Sequence, residues 1–145
     1  HEGESYPVRE LLDRVWCAAM ARRFARAAGL DAISSVAVGT AASELASNAV
    51  RHAGGGLVRL RVLRLPRPAI ELVVTDQGPG IANVALALVD GVSRGARLLP
   101  DGMRGGLGAG LGAVARLMDE LTIETVPRQG TRLTALKWLT RRAGR

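Results

Sequence analysis

Three short runs in this chain combine residue types that chemistry uses. Glu44, Asn48 and His52 follow one another at intervals of four, so on a helix a carboxylate, a carboxamide and an imidazole point roughly the same way. The run Thr75-Asp76-Gln77-Gly78-Pro79-Gly80-Ile81 sets a carboxylate ahead of two glycines at alternate positions. Gly105, Gly106, Gly108 and Gly110 pass into Leu111, Val114, Ala115 and Met118, the spacing of one helical face. A glycine loop handing over to a helix N-terminus presents unpaired N–H groups and the positive end of the helix dipole. That favours an anion such as phosphate, which glycine lets the backbone approach closely. Each run also has a plain structural explanation: a solvated helix face, a turn whose aspartate satisfies its own backbone, or a flexible connection.

The elements that must position these residues can be read in chain order. From Val8 to Ala28 the apolar residues Leu12, Trp16, Met20 and Phe24 recur every fourth position, which predicts an amphipathic helix ended by Gly29. Asp31 reads as the N-cap of a second helix running to about Ala53, with Ile33, Val36, Ala37, Leu45 and Ala49 on its apolar face. Gly54-Gly55-Gly56 stops it. Val58, Leu60 and Val62 then alternate with Arg59 and Arg61, and Ile70, Leu72 and Val74 form a second alternating run beyond Pro66-Arg67-Pro68, so the pair reads as a hairpin. Residues 82–90 fit a short helix, and 91–106 lose periodicity, a loop length that in a compact domain points to function or disorder. Leu121–Val126 and Arg132–Leu139 read as two more strands, joined at Pro127-Arg128-Gln129-Gly130.

Composition limits the function classes. A chain of 145 residues suits one domain, here residues 6–140, with 1–5 and 141–145 as disordered tails, and can bury roughly two-thirds of its unfolded surface. Of 20 basic residues only Lys137 is not an arginine, and against 13 acidic residues they leave a net charge of +7, which favours an acidic or phosphate-bearing partner. The arginines are spread along the chain, the aromatics are two Trp, one Tyr and one Phe, and no nucleic-acid-binding module is visible, all of which argue against DNA or RNA as partner. No apolar run approaches the ~18–20 residues of a membrane span, and no signal peptide is visible. Cys17 stands alone in a predicted helix, a buried free thiol that fits the reducing cytoplasm.

In order along the chain, Glu44-x3-Asn48-x3-His52, Asp76-x-Gly78-x-Gly80 and Gly106-x-Gly108-x-Gly110 resemble the N, G1 and G2 boxes of the GHKL (Bergerat-fold) ATP-binding superfamily. Three boxes in the right order are far more specific than any one. Finer phrases, Ala42-Ser43-Glu44-Leu45-Ala46-Ser47-Asn48, Asp76-Gln77-Gly78-Pro79-Gly80-Ile81, Gly105-Gly106-Leu107-Gly108-Ala109-Gly110-Leu111 and Ala135-Leu136-Lys137-Trp138-Leu139, resemble the RsbT-type serine/threonine switch kinases of the anti-sigma-factor kinase branch. The resemblance implies an α/β two-layer sandwich, a mixed, largely antiparallel sheet with helices on one face. It implies ATP and Mg²⁺ as cofactors. Asp76 would accept from the adenine amino group, Gly78, Gly80 and Ile81 would pass beside the base, and Asn48 would supply the protein's ligand to Mg²⁺. Gly106, Gly108, Gly110 and Leu111 would stand at the phosphates, and Thr131 either supports the adenine site or is an ordinary strand residue. Glu44 would accept the proton of the attacking hydroxyl, His52 would be a helix-end structural residue, and residues 91–105, longer than the subgroup's short connection, would form a lid.

By the same resemblance the substrate is a serine or threonine of a STAS-domain protein in a stress-response partner switch, with a downstream phosphatase or sigma factor as further partner. Alternatives are a partner-switching module that binds ATP without turnover, the ATPase half of a histidine kinase, and a plain ATP hydrolase.

Overall fold

The computed structural model describes residues 3–77, 106–126 and 129–139. The expected short helix 82–90, the loop and lid of 91–105, Gly78, Gly80, Ile81 and the tail 141–145 lie outside them. Among the described residues eight elements follow in order: β1 (Gly3–Val8), α1 (Asp13–Ala27), α2 (Ala32–Ala53), β2 (Gly56–Leu63), β3 (Ala69–Asp76), α3 (Gly106–Leu117), β4 (Glu120–Val126) and β5 (Gly130–Trp138). The strands form one sheet in the order β1-β2-β3-β5-β4, and each described pairing is antiparallel. Alternate residues Val58, Leu60, Ile70, Leu72, Val74, Leu133 and Ala135 join the same buried cluster as Ala21, Ala25, Leu45 and Leu111, so the helices cover one face of the sheet. The expected α/β layering is therefore present. Among the described residues no helix is long and apolar enough to cross a membrane.

Two helix boundaries follow from local chemistry. Asp31 caps α2 as its spacing predicted: its side chain accepts from Ser34 N at 2.7 Å. At the other end Gly54 takes the left-handed conformation, φ 78°, which a Cβ disfavours, and the N–H groups of Gly54 and Gly55 return to the carbonyls of Val50 and Ala49.

Three expectations need correction. Residues 3–5 are not a tail: they belong to β1, which pairs with β2 from Gly3 opposite Arg61 to Val8 opposite Gly56. The first helix begins at Asp13 rather than Val8, because Val8 is the last strand residue and is buried at the sheet edge. Its buried line is Cys17, Ala21 and Ala25, while Leu12, first in the large apolar series, is 73% exposed. Small residues occupy the centre because α1 and α2 approach closely: a Cβ on Gly39 would lie 2.7 Å from Ala18 O. On α2 likewise, Ile33 and Val36 are exposed, and the buried arc is Ser35, Val38, Gly39, Ala41, Ala42 and Leu45 through Ala49. A helix enclosed by α1, α3 and the sheet buries a broad arc rather than a stripe.

The start of α1 hangs on one carboxylate. Asp13 Oδ2 accepts from the backbone N–H groups of Arg9 and Glu10 at 2.8 and 3.1 Å, and Oδ1 accepts from Trp16 Nε1 at 3.0 Å. The Arg9 N–H, then Trp16 and the Glu10 N–H, hold its pKa below the ordinary aspartate value. A carboxylate with a lowered folded-state pKa contributes stability that is present above its unfolded value and lost as pH falls through the folded one. Asp13→Asn is therefore expected to melt at a lower temperature than wild type at pH 7, the gap narrowing as pH drops below the ordinary aspartate range. Thermal melts from pH 7 to pH 3 check this, and a gap independent of pH would refute it. Cys17 is a buried free thiol, as expected. Burial, with the Asp13 charge adding to it, pushes its pKa up to about 11, so it stays a neutral, unreactive thiol near pH 7.

Candidate functional site

The described residues singled out by spacing or by the resemblance lie mainly in two places joined by α2. The first is a polar cluster between α2 and α3. Asn48 is 2% exposed, and both its Oδ1 and Nδ2 are buried with no hydrogen-bond partner among the described residues. A buried carboxamide left unpaired is unfavourable by about 1–3 kcal/mol, so this side chain fits a role that a ligand completes. Ser47 Oγ beside it is buried in the same condition. Glu44, one turn earlier, keeps its carboxylate partly open, at 28% exposure.

Gly110 faces both residues from α3. A Cβ on it would lie 2.9 Å from Glu44 Oε1 and 3.7 Å from Asn48 Oδ1. The structure corrects the sequence reading of this stretch: the described helix begins at Gly106, so Gly106, Gly108 and Gly110 belong to the helix rather than to a loop before it. The backbone N–H of Gly110 is then engaged in the helical ladder, and what Gly110 contributes is the space its missing side chain leaves. Each glycine in a helix interior is unfavourable by about 1 kcal/mol relative to alanine, and that space is the local reason for one here. Leu111, expected among the ligand contacts, is fully buried in the apolar core.

The second place is a cavity of about 770 Å³ at the ends of the sheet strands, lined among others by Ala53, Gly55, Asp76, Gln77, Gly130 and Thr131. Strand register puts Asp76 directly opposite Thr131, and Thr131, 3% exposed, shares a hydrogen bond with Thr125 Oγ1 at 3.2 Å. Gly130 makes this junction sterically feasible: its φ is 123°, and a Cβ there would lie 2.1 Å from Asp76 O. Any side chain at 130 would push Asp76 away from Thr131. Ala53 follows Asn48 by five residues on α2, a rise of about 7.5 Å, so one helix connects the carboxamide cluster to the cavity. His52 lies in the last turn of α2 and is exposed, consistent with its reading as a helix-end residue.

The contacts of three residues escape the sequence reading. Arg14 of α1 donates from Nε to Ser43 Oγ at 3.0 Å and from Nη2 to Glu44 Oε2 at 3.5 Å. Nothing in local spacing connects residues 14 and 44; only the α1–α2 crossing does. Lys137 Nζ donates to Leu117 O at 2.6 Å, and Asp119 Oδ2 accepts from Trp138 N at 2.7 Å. Together these fasten the C-terminal end of α3 to β5 and so hold the helix that carries Gly110.

A carboxylate and an orphaned carboxamide facing a glycine helix, beside a cavity with a second carboxylate at its wall, is an arrangement suited to a polar, phosphate-bearing ligand. Residues 12–137 match the family model of the histidine kinase-like ATPase domain. The chain is similar to the serine/threonine-protein kinase RsbT of Bacillus subtilis (strain 168), 36% identical over 121 residues that make up 83% of this chain and 84% of that protein. On the family match and the similarity to RsbT, the chain belongs to the histidine kinase-like ATPase domain family, in the RsbT-like branch of the GHKL superfamily.

Proposed function

We propose that this chain is a serine/threonine protein kinase that uses Mg²⁺-ATP to phosphorylate a STAS-domain regulator in a partner-switching pathway of the cytoplasm. The observation that carries the reading is the Glu44, Asn48 and Gly110 cluster, in which a buried carboxamide lacks a partner among the described residues and a carboxylate stands one turn away. ATP supplies the phosphoryl group, and Mg²⁺ neutralises charge on it. Asn48 Oδ1 is the oxygen that this chain would offer the cation. The N–H groups at the start of α3, those of Gly106 and Gly108 among them, hold phosphate oxygens along the helix dipole. Asp76 accepts from the base and Thr131 supports it across the strand pair; Gly78, Gly80 and Ile81, which the resemblance assigns to the base, lie outside the described residues. Glu44 Oε1 accepts the proton of the attacking hydroxyl.

Similarity to RsbT favours a protein hydroxyl over water as acceptor, and the charge of +7 suits an acidic partner surface. The test is calorimetric titration with ATP, with and without Mg²⁺, followed by incubation with [γ-³²P]ATP and a STAS-domain protein. Magnesium-dependent binding and label on a serine or threonine are expected. Binding with no label on any partner would favour the partner-switching module without turnover, and no binding would overturn the reading.

Gly110→Ala separates site geometry from fold. Helix propensity alone makes the variant more stable by about 1 kcal/mol, while its new Cβ displaces the carboxylate end of Glu44. The expected outcome is a melting temperature no lower than wild type together with transfer reduced by about 10-fold or more. Transfer at the wild-type rate would show that the carboxylate position does not matter.

A further inference from the structure

Glu44 presents two oxygens to different neighbours. Oε2 faces Arg14 Nη2 at 3.5 Å, and Oε1 is the oxygen 2.9 Å from the Cβ position of Gly110, on the side of Asn48. Arg14 is itself anchored a second time, through Nε to Ser43 Oγ at 3.0 Å, and it leaves α1 next to Asp13, whose hydrogen bonds fix the first turn. Both members of the ion pair retain solvent contact, at 36% and 28% exposure, so the pair adds little to stability. What it does is choose among the rotamers of a long, flexible carboxylate.

We infer that Arg14 is a positioning residue: from α1 it holds Glu44 Oε2 and thereby turns Oε1 toward Asn48 and the start of α3. The inference rests on the proposed role of Glu44 as proton acceptor. An arginine suits the task, because its planar fork engages two adjacent residues of α2 from two different nitrogens, which the single ammonium of lysine does not. Ser43 thereby becomes part of the same device, since it fixes the plane of the guanidinium.

The experiment compares wild type with Arg14→Ala, Arg14→Gln, Arg14→Lys and Glu44→Gln, using [γ-³²P]ATP and a STAS-domain protein that wild type labels. ATP affinity, melting temperature and the ¹³C resonance of the Glu44 carboxyl in the nucleotide-free protein are measured alongside. Arg14→Ala and Arg14→Gln are expected to lower kcat by about 10- to 100-fold, with ATP affinity and partner KM unchanged and the Glu44 resonance displaced; Arg14→Lys recovers part of the rate. In a Glu44→Asp background, whose shorter side chain no longer spans both neighbours, Arg14→Gln adds much less loss than it does alone. Wild-type kcat in both Arg14→Ala and Arg14→Gln, an unmoved Glu44 resonance, a rise confined to partner KM, or losses that multiply with Glu44→Asp would each overturn it. If Glu44→Gln transfers normally, the proton-acceptor reading falls first; if Glu44→Gln is inactive while Arg14→Gln is normal, only the positioning role falls.

Discussion

Glu44→Gln will bind ATP as wild type does and transfer its phosphoryl group about 10²–10⁴-fold more slowly. The amide keeps the size of the side chain and its place one turn before Asn48, so the cluster with Gly110 stays filled and the α2 backbone is undisturbed. What disappears is the capacity to take a proton. Affinity should not suffer, because the phosphates are assigned to the start of α3 and the cation to Asn48. Calorimetry paired with single-turnover transfer to the partner checks both halves. A variant that transfers at the wild-type rate removes Glu44 from the chemistry and leaves positioning and charge neutralisation as the whole of catalysis, which phosphoryl transfer tolerates better than most reactions.

Asp76→Asn acts at the other end and should fail in binding. Its carboxylate stands at the end of β3, opposite Thr131 and against Gly130, at the wall of the cavity. An acceptor on both oxygens becomes an amide with one donor end, and the adenine amino group loses a charge-assisted partner worth about 1.5–3 kcal/mol. That corresponds to a Kd for ATP raised by about 10- to 100-fold. Transfer at saturating ATP should recover much of its rate, since the reacting groups are elsewhere. Unchanged affinity would remove Asp76 from the adenine contact.

Much of the fold was legible because single residues carry local signals. Asp31 and Gly54 mark the ends of α2 by their own chemistry, and the alternation around Arg59, Arg61 and Ile70–Val74 gives the hairpin that the register places from Leu57 opposite Thr75 to Leu63 opposite Ala69. Spacing misassigns helix faces wherever packing is set by a neighbour. Leu12 and Ile33 are large and apolar yet exposed, while Ala21, Ala25 and Gly39 are central because two helices come close together there. The edge strand β1 carries no local signal because Gly3–Val8 is short and has no alternation of apolar and polar residues, and its pairing with β2 is a long-range fact. At the site, spacing puts Glu44 and Asn48 on one helical line, only the resemblance connects Gly110 with them, and the three lie close together. The Arg14 contact was not, since no periodicity links residues on separate helices. Gly130 was visible as a turn residue, but its closeness to Asp76 follows only from strand register.

The continuous helix α2 has a metrical consequence. From Glu44 to Ala53 the rise is about 13.5 Å, and backbone hydrogen bonds rather than side chains set it. Capped by Asp31 at one end and Gly54 at the other, α2 acts as a rigid ruler laid between the carboxylate and the cavity. Whatever spans those two marks is gauged against a length that no side-chain exchange along α2 rescales. Defects introduced at the two marks should therefore add in free energy rather than compound, because neither can be relieved by sliding the other.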